Sequence, residues 1–270
     1  MNSEKKIALV LGGGSALGYA HIGVIQEMED QGMRPDLIIG TSMGAIVGAY
    51  YALHGEVDSL VEILKKTSML KLGIEGVKKI EKLFEDAMGD ASFADCKIPL
   101  KINACDINSG ENVVFEKGLL REAMRASMSI PGVFPPVVLD GRVLVDGGLC
   151  NNLAVNLAPS GYKVIAVKVT APSNKKIFTA EEFDSKNPLK KTRMYFEMLH
   201  KSFAILMNRL EDHLIEQMDE VTYIEPDLRS FNFISFNKYS ELIAAGRAAV
   251  NSAISSPSGE ENKSQVPEPG

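Results

Sequence analysis

A serine between two glycines lies where this sequence changes from a strand pattern to a helix pattern. Leu37 to Ile39 form an apolar run, Gly40-Thr41-Ser42-Met43-Gly44 follows, and a long helical stretch then continues to about residue 66. G-x-S-x-G between a strand and a helix is typical of a sharp turn with a strained serine backbone and a projecting hydroxyl. Side chains at Gly40 or Gly44 would collide with the adjoining elements, so glycine suits both positions.

Two interpretations of Ser42 stay open at this point. The hydroxyl is either a nucleophile or simply the N-cap of the following helix in an ordinary glycine turn. In the first case, the free N–H groups at the helix start face developing negative charge, and the Met43 N–H is one predicted oxyanion donor. The motif alone fits both interpretations about equally, and Gly44 also suits close packing of helix on sheet.

A glycine-rich loop precedes this turn and favours the catalytic interpretation. Gly12-Gly13-Gly14-Ser15-Ala16-Leu17-Gly18 follows a predicted strand, Ile7 to Leu11, and opens a helix. A dinucleotide-binding loop is one reading, but Gly18 comes one place too late for G-x-G-x-x-G, and Asp36 poorly matches a ribose-binding acid. A loop whose backbone N–H groups bind an oxyanion also explains the serine at the end of the next strand. A nucleotide-binding module remains the alternative.

The proton acceptor for Ser42 is predicted to be an aspartate. Asp146 follows the apolar strand that ends at Val145 and precedes Gly147 and Gly148. An aspartate has a reference pKa of ~3.9, so it can act as a base only in a dry site at hydrogen-bond distance.

No histidine occupies the position after an acid that a Ser-Asp-His order requires, although a Ser-His-Asp hydrolase stays an alternative. We expect His21 to be packed within the first helix and His200 and His213 to be solvated on a late helix. The histidines of the chain are His21, His54, His200 and His213.

Composition excludes several other classes. The net charge of −6 argues against a nucleic-acid surface. Cys96, Cys105 and Cys150 lack metal-ligand spacing and are expected to be free thiols in a reducing compartment, with no metal or cofactor. The apolar run near the N-terminus is too short for a signal peptide, and no window approaches the ~18 apolar residues of a membrane span. We therefore expect a cytoplasmic protein.

The chain is expected to form one domain, residues 1–254, with a disordered tail at 255–270. Ala171 to Asn187 read as a mobile polar loop, and Leu189 to about Met218 as a long helix. Most apolar side chains of this helix are expected in the core, while some line an acyl pocket or transiently contact a membrane surface. The set comprises Met194, Phe196, Met198, Leu199, Phe203, Leu206, Met207 and Leu210.

Several segments together resemble the patatin-like phospholipases. They are "LGGGSALGYAHIGV", "IGTSMGAIVGA", "ASMSIPGVFPPV", "LVDGGLCNNLAV" and "YIEPDLRSFNFISFNKYSELIAAG". The resemblance implies a three-layer α/β/α sandwich with a mostly parallel central sheet, and hydrolysis of lipid esters without a cofactor. It implies Ser42 as nucleophile and Asp146 as general base.

The motif positions that follow from these arguments fall into two groups. The predicted oxyanion donors are the backbone amides of Gly12, Gly13, Gly14, Ser15 and Met43. The glycines needed for the turns are Gly18, Gly40, Gly44, Gly147 and Gly148.

Two residues of the loop depart from the family pattern. Close relatives carry glycine and arginine where this chain has Ser15 and Leu17. A positive φ at Ser15 would cost about 1 kcal/mol. Loss of the arginine charge favours neutral esters over anionic phospholipids, and it keeps a non-catalytic regulatory relative as a further alternative.

Overall fold

A computed structural model describes residues 5–65, 74–170, 188–216, 218 and 221–255. Within these residues the strands form one sheet with helices on both faces, which confirms the predicted α/β class. The predicted mobile loop, Ala171 to Asn187, and residues 256–270 of the predicted tail lie outside the described residues.

The sheet is parallel through its centre and antiparallel at one side. The strand order is β5-β6-β3-β2-β1-β7-β8, with β4 paired to β3. Strands β3, β2, β1, β7 and β8 are parallel, whereas β6 and β4 are antiparallel to β3. The strands are β1 (Ile7–Leu11), β2 (Leu37–Thr41), β3 (Leu100–Asp106), β4 (Asn112–Phe115), β5 (Val137–Leu139), β6 (Arg142–Asp146), β7 (Lys163–Val167) and β8 (Val221–Ile224).

The helices connect these strands and cover the sheet. They are α1 (Tyr19–Asp30), α2 (Met43–His54), α3 (Asp58–Lys65), α4 (Ile74–Met88), α5 (Leu120–Ser127), α6 (Gly148–Asn151), α7 (Pro188–Glu216) and α8 (Tyr239–Ser255). The single long helix expected after Ser42 is wrong, because Gly55 adopts a left-handed φ of 74° and ends α2 there. The long late helix is confirmed as α7.

Alternating residues of the central strands enter two different cores. Leu9 and Leu11 of β1 belong to a cluster that includes α1 and α2 residues. Ala8 and Val10 belong to a second cluster, with Leu153 and the α7 residue Leu214 packed on the other face. Because the sheet is buried on both faces, the architecture has three layers, as the resemblance implied.

Strands β2 and β6 meet end to end along one edge of β3. Thr41 of β2 pairs with Asn103, and Asp146 of β6 pairs with the next residue, Ala104. Strand β4 pairs with residues 102–105, so it occupies the opposite edge. Because β2 is parallel and β6 antiparallel to β3, their carboxyl-terminal ends converge.

A disulfide joins Cys105 of β3 to Cys150 of α6, with the two Cα atoms 5.7 Å apart. The expectation of three free thiols is therefore wrong for two of them, and Cys96 is free. The cysteines of this chain therefore do not indicate a reducing compartment.

Helices α1 and α8 cross at two glycines. A Cβ on Gly23 would lie 1.9 Å from the backbone oxygen of Ile243, and one on Gly246 would lie 2.0 Å from that of Ala20. Both obstacles are backbone atoms, so neither site can accept a methyl group without separating the helices.

We expect Gly246→Ala to lower the free energy of unfolding by about 2 kcal/mol or more, because overpacking displaces helix backbone. Urea denaturation would measure the change. The exposed Ser252→Ala on the same helix is the control, with an expected change within about 0.5 kcal/mol. An unchanged midpoint for Gly246→Ala would contradict the close crossing.

Candidate active site

Ser42 occupies the strained turn that the sequence predicts. Its φ is 53° and its ψ is −120°, and it lies between β2 and α2. The Ser42 N–H donates to the Ser127 hydroxyl at 2.8 Å. A Cβ on Gly44 would lie 2.1 Å from the Leu11 oxygen, and one on Gly40 would lie 2.6 Å from the Ala45 Cα. These contacts confirm the steric reason for both glycines.

The Ser42 hydroxyl donates a hydrogen bond to Asp146. The Oγ–Oδ2 distance is 2.6 Å, and both residues are buried. The other carboxylate oxygen, Oδ1, accepts the Gly148 N–H at 2.8 Å, and the Asp146 N–H donates to the Ser129 carbonyl. One oxygen is thus held by the backbone, while the other faces the serine.

Burial raises the pKa of Asp146 to about 6, although the hydrogen bonds from Ser42 and Gly148 oppose the increase. A carboxylate with this pKa is a stronger base than an exposed aspartate, yet it is mostly ionised at neutral pH. The Asp146 carboxylate is therefore both in hydrogen-bond contact with the Ser42 hydroxyl and basic enough to accept its proton.

The remaining turn glycines are also crowded. A Cβ on Gly18 would lie 2.3 Å from the Met43 Cγ. At Gly147 it would lie 2.5 Å from the Asn103 carbonyl oxygen, and at Gly148 it would lie 2.6 Å from the Asn152 Oδ1. These glycines allow the glycine loop, α2 and the Asp146 turn to approach one another.

The predicted set of oxyanion donors becomes smaller in the structure. The Gly12 N–H donates to the Val167 carbonyl and the Gly13 N–H to the Asn152 carbonyl, so neither amide is available to a ligand. Across the described ranges, the amides of Gly14, Ser15 and Met43 have no hydrogen-bond acceptor.

Gly14 and Ser15 line the cavity at Ser42. Ser15 adopts a positive φ of 51°, a conformation that favours glycine, so the expected cost of serine at this position applies. Met43 is the first residue of α2.

The histidines do not take the place of the aspartate. His21 is fully buried, and its Nε2 lies 2.7 Å from the Gly12 carbonyl oxygen, so the expected packed role is confirmed. Burial lowers the pKa of His21 to about 4, which keeps the ring neutral. The expectation that His200 is solvated is wrong, because it lines the cavity and stacks on Phe233. His213 is exposed, as expected.

A cavity of about 390 Å³ opens at Ser42 and Asp146. Helix α7 forms part of its wall through Phe203 and Met207, which confirms the expectation that some apolar residues of this helix line a pocket. Pro131 also lines the cavity, and Phe134 packs against the first core cluster. The principal apolar lining residues are Ile130, Leu149, Phe203, Met207, Phe231 and Phe233.

The expectation that most of the eight apolar side chains of α7 lie in the core is wrong, because four of them are exposed. Met194 is buried, and the Phe196 side chain lies outside the described residues. The outer face of α7, defined here by its exposed large apolar residues, faces solvent. Its members are Tyr195, Met198, Leu199, Ile205, Leu206 and Leu210.

The described residues contain no group of three or more His, Cys, Asp or Glu side chains placed to bind a metal ion. Among the helices in the described ranges, none combines the length and apolar character that crossing a bilayer requires.

Sequence reasoning missed two residues of this site. Ser127 holds the Ser42 backbone, and Asn152 lines the cavity and contacts Gly13. Both contacts join residues more than 80 positions apart, so no local pattern indicates them. The only signal for Asn152 was its place in "DGGLCNN", within one of the quoted segments.

A family model described as "Patatin-like phospholipase" matches residues 9–159. An uncharacterized NTE family protein of Mycobacterium tuberculosis is 38% identical over 163 residues, which cover 56% of this chain and 45% of that protein. The Candida albicans protein named Lysophospholipase NTE1 is 29% identical over 277 residues, covering 90% of this chain and 20% of that protein. The chain therefore spans less than half the length of these curated relatives.

Two solved structures are similar at 13% sequence identity. VipD from Legionella pneumophila has a TM-score of 0.46, with 90% of this chain and 67% of that chain covered. The type III effector protein ExoU has a TM-score of 0.44, with 93% and 53% covered.

Proposed function

Because this chain belongs to the patatin-like phospholipase family, we propose that it hydrolyses carboxylic ester bonds of lipids through a dyad of Ser42 and Asp146. The observation that carries this proposal is the 2.6 Å hydrogen bond from the Ser42 hydroxyl to the buried Asp146 carboxylate. A Ser-His-Asp triad gains no support, because the acceptor of that hydroxyl is already the carboxylate. We also propose that residues 1–254 form a single catalytic domain.

The first chemical step forms an acyl-enzyme. The Ser42 Oγ attacks the ester carbonyl carbon while its proton moves to Asp146 Oδ2. The carbonyl oxygen becomes an oxyanion, which the amides of Gly14, Ser15 and Met43 stabilise. Asp146 then gives the proton to the leaving alkoxy oxygen as the ester C–O bond breaks, so the alcohol leaves and the acyl group stays on Ser42.

The second step returns the free enzyme. Asp146 accepts a proton from water, and the water oxygen attacks the acyl carbon. The same amides stabilise the second oxyanion. When the intermediate collapses, the proton on Asp146 passes to the Ser42 Oγ, and the carboxylic acid leaves.

The cavity supports a lipid substrate. Its volume lies at the lower end of the roughly 300–1,000 Å³ usual for small-molecule sites, and its walls are largely apolar. Leu17 lines it in place of a cation, while Glu197 and Lys201 add one charge of each sign. This balance favours a head group without net charge, and the names of the fungal relatives suggest single-chain phospholipids.

We further propose that the outer face of α7 contacts a lipid surface during catalysis. One side of this helix lines the cavity, and the opposite side exposes six of the nine large apolar residues found exposed among the described residues. Contiguous exposed apolar side chains usually mark an interaction surface. Among the partners that could cover the outer face of α7, we choose a lipid surface because it also contains the proposed substrate.

We expect Ser42→Ala to lower kcat by at least about 10⁴-fold, because the nucleophile is lost. Asp146→Asn should lower it by about 10²- to 10⁴-fold, because the amide cannot accept the proton. Hydrolysis of p-nitrophenyl esters and labelling by a fluorophosphonate would measure both. Asp106→Asn, at another buried strand end, is the matched control and should keep activity. Substantial hydrolysis by folded Ser42→Ala would refute the proposal.

The pH dependence should report the raised pKa of Asp146. Only the carboxylate form accepts the serine proton, so kcat/KM should fall about tenfold per unit below pH 6 and reach a plateau above it. A pH–rate profile with a soluble ester would measure this, with circular dichroism at each pH to exclude unfolding. A plateau that extends to pH 4.5 would contradict a buried aspartate base.

Replacing Met198, Leu199 and Leu206 together by serine should reduce flotation with phosphatidylcholine vesicles and hydrolysis of vesicle substrate, because burial of the outer face is lost. Hydrolysis of a soluble p-nitrophenyl ester should be unchanged. The control replaces Ile107 and Val138, which are exposed elsewhere, by serine and should leave flotation intact. Equal flotation of all variants would exclude this contact.

A further inference from the structure

The side chain of Asn152 is tied to the glycine loop. Its Nδ2 donates to the Gly13 carbonyl oxygen at 3.1 Å, and its own backbone carbonyl accepts the Gly13 N–H at 3.2 Å. Its Oδ1 lies 2.4 Å from the position of a Cβ on Gly13 and 2.6 Å from one on Gly148. The side chain thus fills the space that these two glycines leave, between the loop and the Asp146 turn.

Contact with the Gly13 carbonyl orients the next amide. The Gly13 C=O and the Gly14 N–H belong to one planar trans peptide unit, in which the two groups point in opposite directions. A hydrogen bond that holds the carbonyl oxygen on Asn152 therefore turns the Gly14 N–H away from Asn152. Gly14 is one of the three amides proposed above to bind the oxyanion.

Asn152 is in turn held by a buried carboxylate on α7. Glu211 is 1% exposed, and its Oε1 accepts hydrogen bonds from Asn152 Nδ2 at 2.5 Å and from the Thr170 hydroxyl at 2.6 Å. Its Oε2 is buried without a hydrogen bond among the described residues and lies 3.9 Å from Lys168 Nζ.

A carboxylate buried in this way is a poor means of merely attaching a helix. Its desolvation cost is offset only by strong hydrogen bonds, and an apolar residue would pack α7 at least as well. Nearby, Leu214 and Ile215 already pack this helix on the second core. The contacts of Glu211 therefore favour a role in orienting its partner.

We propose that Glu211 is a positioning residue for ester hydrolysis: it holds the Asn152 amide, which holds the Gly13–Gly14 peptide so that the Gly14 N–H faces the oxyanion. This inference rests on the proposed function, because it assigns the oxyanion role to Gly14. It also predicts that a residue of α7, the helix that lines the substrate cavity, acts on kcat rather than on substrate affinity.

The test compares two substitutions of similar size. Glu211→Gln keeps an oxygen that can accept from Asn152 and Thr170, and its kcat should stay within about threefold of wild type. Glu211→Met keeps the volume but removes the acceptor, and its kcat should fall about 10- to 100-fold with KM within about threefold. Equal kcat for both variants, or a loss confined to KM, would overturn the proposal.

A double-mutant cycle tests whether Glu211 acts through Asn152. The single variant Asn152→Ala should have a lower kcat than wild type. Adding Glu211→Met to Asn152→Ala should change the kcat of that single variant by no more than about twofold. If the fold-losses in kcat of the two single variants multiply in the double variant, Glu211 and Asn152 act independently, and the proposal is overturned. Asp212→Asn is the matched control, since Asp212 is the next residue, also pairs with Lys168, and is largely exposed. Its kcat should stay within about twofold.

Thermal melts of each variant separate this role from loss of folding. If Glu211→Met does not fold, Asn152→Ala alone carries the test, and wild-type kcat in that variant overturns the inference. Ser42→Ala distinguishes failure of the proposed hydrolysis from failure of the positioning role of Glu211. Activity that depends on Ser42, with wild-type kcat in folded Glu211→Met, refutes the positioning role and leaves the proposed function intact.

Discussion

The pairing of β3 with two strands along one edge is the constraint on which the site depends. Thr41 and Asp146 lie opposite consecutive residues of β3, and their strands arrive from opposite directions. A hydroxyl and a carboxylate 104 positions apart in sequence therefore come within 2.6 Å without long or flexible side chains. Because the sheet is buried on both faces, this geometry is set by backbone hydrogen bonds and core packing before any substrate binds.

The buried setting of the cavity suits both the base strength of Asp146 and the lipid substrate proposed for this site. Burial of the Asp146 carboxyl group raises its pKa to about 6, and the largely apolar walls of the cavity beside it match the acyl chain of the proposed substrate. A wetter cavity would bind lipid less well and would leave the aspartate a weaker base. The proposed dyad therefore requires a buried aspartate and no histidine.

The local chemistry of this fold could be predicted from the sequence, whereas its long-range partners could not. Turn signals identify Ser42 and Asp146 at strand ends, because glycine requirements are local. The engagement of the Gly12 and Gly13 amides could not be predicted, since their acceptors lie about 140 residues away or more. The disulfide could not be predicted from the sequence for the same reason, because the pairing of Cys105 with Cys150 depends on where α6 lies relative to β3.

The glycine loop owes its shape to its carbonyl partners rather than to glycine alone. The Gly12 oxygen contacts His21 Nε2, the Gly13 oxygen accepts from Asn152, and the Gly14 oxygen accepts the Leu17 N–H. Three successive peptide planes are therefore fixed. The amides that follow the last two carbonyls, those of Gly14 and Ser15, have no acceptor among the described residues, and both residues line the cavity. Since each buried hydrogen bond contributes about 1 kcal/mol, three of them offset the strain of serine at a positive φ. The loop can thus keep the proposed donors with serine at position 15 and leucine at position 17.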